Sequence, residues 1–204
     1  MADNIAYSAD LLITCNSAGL GRLPWETWDL GSEFSTSSAV RIARLPAAVR
    51  TTSVLHVTQG RANVLVILGD ETGLNFNKER EALATLSHLL SIEFVGWRAG
   101  METDIKQAIV DAIQSPVGWD MLLFFGHSNE ARWVGGQLAV APNVTMSIRE
   151  LAPCLRQAKA NGLKFALFNS CRGLDIANAL IDMGLNQVAV MREPIHNRVA
   201  QVFL

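Results

Sequence analysis

The sequence lacks any apolar segment long enough to cross a membrane. Unbroken apolar runs such as Val64–Leu68 and Met121–Phe125 are short, whereas a membrane-spanning helix needs roughly 20 apolar residues. The N-terminal sequence, Met-Ala-Asp-Asn, also lacks the basic start and the apolar stretch of a secretory signal peptide. We therefore expect a cytoplasmic protein with no membrane partner.

Paired cysteines are missing as well. The chain has three cysteines, Cys15, Cys154 and Cys171. An odd number, wide spacings and the absence of a Cys-x-x-Cys motif disfavour a disulfide scaffold and a cysteine-built zinc site. His56, His88 and His196 show no metal-ligand spacing with each other or with the cysteines. We therefore expect no metal site. One of the three thiols becomes a candidate for a chemically active group.

The sequence also has no excess of positive charge. Its 17 Lys and Arg residues against 19 Asp and Glu residues give a formal net charge of −2, so we expect no direct nucleic-acid partner. Half of the 204 residues are hydrophobic and 18% are charged. This composition excludes wholesale disorder and suffices for the core of one ordinary α/β domain.

The pattern of apolar residues along the sequence changes near residue 62. Residues 1–62 contain short apolar stretches broken by Gly, Pro and Ser/Thr clusters, which predict a small β-rich unit of a few antiparallel strands with little helix. Residues 63–204 instead alternate between apolar runs and helical periodicity. We therefore divide the chain into an N-terminal β-rich unit, 1–62, and an α/β core, 63–204.

Alternating strands and helices fill the predicted core. Runs rich in apolar residues predict strands at Val64–Leu68, Ile92–Trp97, Met121–Phe125, Lys164–Phe168 and Gln187–Met191. Val64–Leu68 is continuously apolar, as in a strand buried on both faces. Apolar residues at helical spacing predict helices between successive strands, near 76–90, 105–113, 147–161 and 174–184. This alternation is typical of a mainly parallel sheet with helices on both faces.

Two local features of the core leave alternatives. Ser147 and Glu150 have the spacing of a capping box, which predicts a helix start at Ser147. Pro153 favours a start at that proline instead, because an interior proline removes a helical hydrogen bond. Further upstream, Gly135-Gly136 predicts a hairpin within Trp133–Val140.

Two chemically active side chains directly follow predicted strands. His127 comes after Met121–Phe125, and Cys171 comes after Lys164–Phe168. Sites in parallel sheets lie at the carboxyl ends of the strands, and neighbouring strands lie about 4.8 Å apart. If these two strands are neighbours, a thiol and an imidazole share one crevice. They are the minimum parts of a cysteine nucleophile with a general base.

The predicted turn around Cys171 favours this chemistry. Cys171 precedes a helix that starts near Gly173, and helix N-termini stabilise anions such as a thiolate. Gly173 permits a tight strand-to-helix turn. Backbone N–H groups of that turn, chiefly that of Cys171, are candidates to donate to a developing oxyanion.

Other interpretations compete with a catalytic one. A lone cysteine after a strand is commonly a small buried residue, and a lone histidine is commonly just hydrogen-bonded. The joint placement of the two favours the functional interpretation. A flavodoxin-like phosphate binder has little support, because Gly69-Asp-Glu-Thr-Gly73 lacks the Gly-Lys-Ser/Thr element of a P-loop.

Several segments of the sequence resemble one known family. Leu122–Ser128 resembles the histidine motif, and Leu167–Leu174 the cysteine motif, of CHAT domains, which are caspase-like cysteine peptidases related to separase. Val190–Pro194 followed by Val199–Phe203 resembles the strand and helix that come next. Pro24-Trp25-Glu26 resembles an element near the start of these domains. The similarity covers nearly the whole chain.

The resemblance implies a fold and a reaction. It implies a caspase-like three-layer α/β sandwich in which His127 is the base and Cys171 the nucleophile of a peptide-bond hydrolase that uses no metal or cofactor. The backbone N–H groups of Ser128 and Cys171 would form the oxyanion hole. Ser128 stands where the caspase pattern has Gly, so this role needs a backbone conformation that a non-glycine residue adopts.

The resemblance also suggests residues for substrate recognition. The candidate substrate-binding residues are Asp70, Glu71, Asn169 and Trp133. Asn169 stands where many basic-specific relatives carry an Asp, and an amide does not pair with Arg or Lys as a carboxylate does. Asp70 and Glu71 are candidates to bind a basic side chain, with a solvated turn as the structural alternative. Arg172 and Arg192 would instead favour an acidic side chain.

These features together predict a cysteine endopeptidase that is regulated within a bacterial signalling or defence system. Its partners would be a protein or peptide substrate and a regulatory domain or partner protein. The alternative is a catalytically silent CHAT-like module that acts as a binding or signalling scaffold. Caspase-like domains continue to a further strand beyond the region of Val199–Leu204. We therefore expect a C-terminally truncated domain: a segment of a longer protein, a processed product or a short member.

Overall fold

A computed structural model of the chain describes residues 9–15, 17–21, 23–25, 40–45, 60–100, 104–129, 136–171, 173–185 and 187–191. The chain divides into two compact units, Met1–Arg50 and Thr51–Leu204. None of the helices in the described ranges is both long enough and apolar enough to span a membrane.

The first unit contains two strands and a short helix. They are β1 (Ala9–Thr14), α1 (Ala18–Gly21) and β2 (Val40–Leu45). β1 and β2 pair in parallel, with Ala9 opposite Val40, so the predicted antiparallel pairing is wrong. Residues 15–39 connect the two strands, and a connection of that length allows the crossover that a parallel pair requires.

The second unit alternates strands and helices. In chain order its elements are β3 (Ala62–Leu68), α2 (Asn77–Thr85), β4 (Leu90–Gly96), α3 (Ile105–Ile113), β5 (Met121–Phe125), β6 (Ser128–Asn129), β7 (Gln137–Ala141), β8 (Val144–Ser147), α4 (Ile148–Ala160), β9 (Phe165–Asn169), α5 (Leu174–Asp182) and β10 (Gln187–Val190). Five of the strands form one parallel sheet, and β6, β7 and β8 form a small antiparallel sheet. The predicted α/β architecture with a mainly parallel sheet is confirmed.

The strand order of the main sheet creates a reversal in the path of the chain. Across the sheet the order is β10-β9-β5-β3-β4. The chain goes from β3 to β4 on one side, and then returns past β3 to β5, β9 and β10 on the other. Open α/β sheets bind ligands beyond the carboxyl ends of the strands where the order reverses. Here that place lies between β3 and β5.

Both faces of the main sheet are covered by helices. Successive residues of a strand point to opposite faces, and here they enter two separate apolar clusters. One cluster joins the sheet to α3, α4 and α5 through residues including Leu65, Ile67, Phe124, Ile109, Leu151 and Ile176. The other joins it to α2 through residues including Val64, Val66, Leu68, Phe125 and Leu83. This confirms three layers and explains why the central strand segments Val64–Leu68 and Met121–Phe125 are continuously apolar.

Helix α4 begins with the predicted capping box. The Oγ of Ser147 accepts a hydrogen bond from the N–H of Glu150 at 3.1 Å, and the Glu150 carboxylate accepts one from the N–H of Ser147 at 2.7 Å. The alternative start at Pro153 is wrong, because the helix runs through that proline. Pro153 is exposed, so the helical hydrogen bond that proline cannot donate is missing on the solvent side of the helix.

β7, at the end of the predicted hairpin Trp133–Val140, has an antiparallel partner on each side. It pairs with β6, with Ser128 opposite Leu138, so the connection between these two strands contains Gly135-Gly136. It also pairs with β8, with Ala141 opposite Val144 and Pro142-Asn143 as the turn. Asn143 has a φ of 61°, and a proline followed by a left-handed asparagine is the sequence pattern of a type II turn. Residues 130–135, including Trp133, lie outside the described residues.

Candidate active site

The strands that carry His127 and Cys171 are neighbours. β5 and β9 pair in parallel with Phe125 opposite Asn169. His127 and Cys171 each lie two residues beyond this matched pair, so both leave the sheet at the same level of the same edge. The structure thus brings the imidazole and thiol segments together, as the sequence argument requires.

A side-chain hydrogen bond ties these two segments to each other. Ser128, the residue after His127, donates from its hydroxyl to the backbone carbonyl of Cys171. Ser128 is only 5% exposed, so the hydroxyl end of this bond is buried, while its acceptor residue Cys171 is half-buried. It connects the backbone next to the imidazole with the backbone of the thiol residue.

The N–H of Ser128 is directed away from the small sheet. In β6, Ser128 lies opposite Leu138, and the neighbouring His127 carbonyl accepts from the Ala139 N–H at 2.9 Å. Hydrogen-bonded and non-hydrogen-bonded pairs alternate in an antiparallel ladder, which makes Ser128 and Leu138 a non-hydrogen-bonded pair. The Ser128 N–H therefore does not donate to β7. Because β6 is an edge strand of this sheet, no strand of the sheet lies on its other side either. No positive φ is found at Ser128.

The ring of His127 is exposed and has one fixed partner. Its Nε2 lies 2.9 Å from the backbone carbonyl oxygen of Thr72. A carbonyl oxygen only accepts hydrogen bonds, so Nε2 must be the donor and carry the hydrogen. In the neutral ring Nδ1 is then the acceptor nitrogen. This is the tautomer in which Nδ1 acts as a base.

Thr72 lies in the turn that follows β3, and this turn is anchored on both neighbouring sheets. The N–H of Gly69 donates to the Phe125 carbonyl at 2.8 Å, and the N–H of Asp70 donates to the Ala139 carbonyl at 2.9 Å. A Cβ at Gly69 would lie 2.4 Å from the Ala139 oxygen. Only glycine allows the turn to approach β7 this closely.

Cys171 leads into helix α5. Its side chain is half-buried, and the N-cap of the helix is Gly173. Gly173 does not need a left-handed conformation, since its φ is −81°. It is needed because a Cβ there would lie 2.6 Å from the Cβ of Val190. The Gly173 N–H donates to the Met191 carbonyl at 2.7 Å, which holds the start of α5 against the strand β10.

The other two cysteines have different surroundings. Cys154 is 2% exposed in the core, and its thiol donates to the Leu151 carbonyl. Burial raises the pKa of the Cys154 thiol to about 11, so this group stays protonated and inert at neutral pH. Cys15 lies in the first unit and is half-buried. Cys171 is the half-exposed thiol at the carboxyl edge of the main sheet.

The residues predicted to bind substrate fall into three groups. Asn169, at the end of β9, is buried, with 8% exposure. Asp70 is half-buried and Glu71 is exposed, and one Asp70 carboxylate oxygen accepts from the backbone and hydroxyl of Thr72. Trp133, Arg172 and Arg192 lie outside the described residues.

Sequence reasoning missed Thr72. Its contribution to the site is a backbone carbonyl, which every residue type possesses. The usable signal is its position in the turn after β3, the strand next to the one that carries His127.

Comparisons with known proteins add no family to this description. No protein-family model matches the chain, and no curated protein matches it. Any function proposed for the chain therefore depends on the arrangement of His127, Ser128 and Cys171.

Proposed function

We propose that the chain is a cysteine peptidase of the caspase-like CHAT type, with Cys171 as nucleophile and His127 as general base. The observation that carries the proposal is the shared edge of the two segments. Both residues lie two positions beyond the paired residues Phe125 and Asn169, and the Ser128 hydroxyl joins the two segments. A histidine or a cysteine alone at this edge would be compatible with a purely structural role.

The proposed reaction begins with proton transfer from the Cys171 thiol to the His127 Nδ1. The thiolate sulfur then forms a bond to a substrate carbonyl carbon, and the C–N bond of the peptide breaks as His127 protonates the leaving amine. Water hydrolyses the thioester, which releases the carboxylic acid and regenerates the thiol. The hydrogen bond from Nε2 to Thr72 supports the tautomer that this sequence of transfers needs.

The oxyanion hole would use the backbone N–H groups of Ser128 and Cys171. The non-hydrogen-bonded pair that Ser128 makes with Leu138 supports this, because it leaves the Ser128 N–H outside the ladder. Donors aimed at the developing charge commonly provide a large share of the rate enhancement in acyl transfer. A serine therefore suits this position as well as the glycine of the caspase pattern.

The substrate would be a protein or a peptide, and activity would be controlled by a regulatory domain or partner in a bacterial signalling or defence system. Asn169, buried at the end of β9, would contribute an amide rather than a charge beside the nucleophile. Glu71 is exposed and would remain available to a basic side chain at the rim.

An electrophilic peptide probe tests the proposal. The purified full chain is treated with a peptidyl acyloxymethyl ketone, in one version with a basic and in another with an acidic side chain, and the labelled residue is mapped by mass spectrometry. We expect labelling at Cys171, its loss in Cys171→Ala and its weakening in His127→Ala. Cys15→Ala is the matched control, since it removes a half-buried thiol from the other unit.

Two results would contradict the peptidase. Full-strength labelling of Cys171→Ala would show that another thiol reacts. Labelling of Cys171 that His127→Ala leaves unchanged would show a thiol without a base, and would favour the catalytically silent binding module instead.

A further inference from the structure

The His127 ring donates to a turn that is held by one backbone hydrogen bond, from the Leu74 N–H to the Glu71 carbonyl at 2.9 Å, and by one carboxylate. The Asp70 Oδ1 accepts from the Thr72 N–H at 3.1 Å and from the Thr72 hydroxyl at 2.8 Å. Both bonds hold Thr72, whose N–H lies in the peptide before it and whose carbonyl oxygen, in the peptide after it, accepts from the His127 Nε2–H. Thr72 and the following Gly73 are exposed, so burial does not hold this part of the turn in place.

The backbone of Asp70 is itself fixed relative to His127. The Asp70 N–H donates to the carbonyl of Ala139, and the Ala139 N–H donates to the carbonyl of His127. The hydrogen bonds therefore form a closed circuit: Asp70 to Ala139, Ala139 to His127, His127 to Thr72, and Thr72 back to Asp70. Apart from the imidazole itself, the Asp70 and Thr72 side chains are the only ones that take part in this circuit.

We infer that Asp70 is a positioning residue for the base, acting through the Thr72 carbonyl. The inference rests on the proposed function, because it gives a purpose to one tautomer of His127. By holding the carbonyl against Nε2, the carboxylate keeps the hydrogen on that nitrogen and keeps Nδ1 as the proton acceptor. Asp70 does this without contact to substrate, which differs from its predicted role in binding a basic side chain.

Three variants separate the positioning role from substrate binding. Asp70→Ala removes both hydrogen bonds to Thr72. Asp70→Asn keeps an acceptor oxygen but removes the charge. Asp104→Ala is the matched control, since the Asp104 carboxylate makes the same kind of bond to a backbone N–H two residues on, at 2.9 Å from Lys106, at the start of α3.

The first readout is the tautomer of His127 in the full chain, measured by long-range ¹H–¹⁵N NMR at a pH where the ring is neutral. We expect the wild type, Asp70→Asn and Asp104→Ala to carry the hydrogen on Nε2. Asp70→Ala should show a mixture of the two tautomers. Nε2–H populations in Asp70→Ala that equal those of the wild type would overturn the inference, whether or not the chain cleaves peptides.

The second readout is the hydrolysis of peptides with a basic or a neutral residue before the scissile bond. We expect Asp70→Ala to lower kcat by about 10-fold to 100-fold with little change in KM, because a misplaced base costs rate rather than binding. Asp70→Asn should recover most of kcat. A rise in KM confined to the basic peptide, equal in Asp70→Ala and Asp70→Asn, would mean substrate recognition and would contradict the positioning role.

The two proposals fail in different ways. Loss of the proposed function would appear as probe labelling that survives Cys171→Ala. Loss of the positioning role would appear as an unaltered His127 tautomer in Asp70→Ala.

Discussion

The Ser128 hydroxyl donates a hydrogen bond to the backbone carbonyl of Cys171. The bond joins the segments that follow β5 and β9, two strands that are neighbours in the main sheet but distant in sequence, and its ends lie beside the imidazole and at the thiol residue. A glycine at position 128, as in the caspase pattern, could not make it. In this chain, therefore, a side chain couples the two segments that the proposed chemistry requires.

Ser128→Ala should destabilise the second unit. The change leaves the Cys171 carbonyl without its hydroxyl donor in a partly buried setting, and such a loss commonly costs about 1–3 kcal/mol. Urea unfolding of the full chain measures it. Ser91→Ala is the control, since Ser91 is exposed on β4 and should change stability by less than about 0.5 kcal/mol. Equal stability of Ser128→Ala and the wild type would show that the bond contributes nothing.

Cys171 and Cys154 should differ sharply in their rates of alkylation. Cys154 is buried and the pKa of its thiol is raised to about 11. At pH 8, therefore, less than about one in a hundred of the Cys154 side chains is in the thiolate form. Cys171 is half-exposed. We expect iodoacetamide to modify Cys171 in the native protein at pH 8 while Cys154 stays unmodified until denaturant is added.

Peptide mapping by mass spectrometry distinguishes the sites, and the fully denatured chain, in which all three thiols react, is the reference. Native-state modification of Cys154 at the rate of Cys171 would contradict the described burial.

The strands of the sheet were predictable because their cause is local. Val64–Leu68 and Met121–Phe125 are apolar at every position since the sheet is covered on both faces, and that pattern is visible without knowledge of the partner strands. The positions of His127 and Cys171 at strand ends followed from the same runs. The order of the strands depends on the fold of the whole chain. Whether His127 and Cys171 lie at neighbouring strand ends therefore could not be read from the apolar runs alone.

Features that depend on distant contacts were not predictable. The carbonyl of Thr72 faces His127 because Gly69 and Asp70 bond to Phe125 and Ala139, and no residue type marks a backbone acceptor. The parallel pairing of β1 with β2 was missed for a similar reason. Strand direction is set by the connection rather than by the strand residues.

Gly69→Ala should disturb both the fold and the base. The added Cβ would lie 2.4 Å from the Ala139 oxygen and 3.0 Å from the Phe124 ring, so the turn must move away from β7. Overpacking of this kind typically costs about 1–3 kcal/mol. We expect a lower urea midpoint together with weaker probe labelling of Cys171, because the Thr72 carbonyl moves with the turn.

Gly19→Ala is the matched control for this steric argument. Its added Cβ would meet one side-chain atom at 3.7 Å, an ordinary contact, so no clash lowers stability. Because Gly19 lies within α1, alanine should leave stability unchanged or raise it by up to about 1 kcal/mol. A Gly69→Ala variant with an unchanged midpoint would mean that the close approach to β7 is not required.

Glu150 should give the second unit a component of acid sensitivity. The backbone N–H of Ser147, its hydroxyl and the Lys106 ammonium lower the pKa of the Glu150 carboxyl from 4.5 to about 2. A carboxyl whose pKa is lower in the folded state stabilises the fold above its unfolded pKa, and the stabilisation disappears as the pH falls from about 4.5 towards 2. Because the Glu150 side chain is half-exposed, solvent screening keeps this contribution small, at roughly 1 kcal/mol or less.

Glu150→Gln isolates that component, because glutamine retains an oxygen that accepts from the Ser147 N–H but cannot titrate. Above pH 5 the variant should be slightly less stable than the wild type, since it loses the charged hydrogen bonds to Ser147 and Lys106. Between pH 4.5 and 2 the two unfolding free energies should converge. Urea unfolding at several pH values measures both free energies. A difference between the variant and the wild type that stays constant through this range would contradict the assignment of the pKa shift to the capping box.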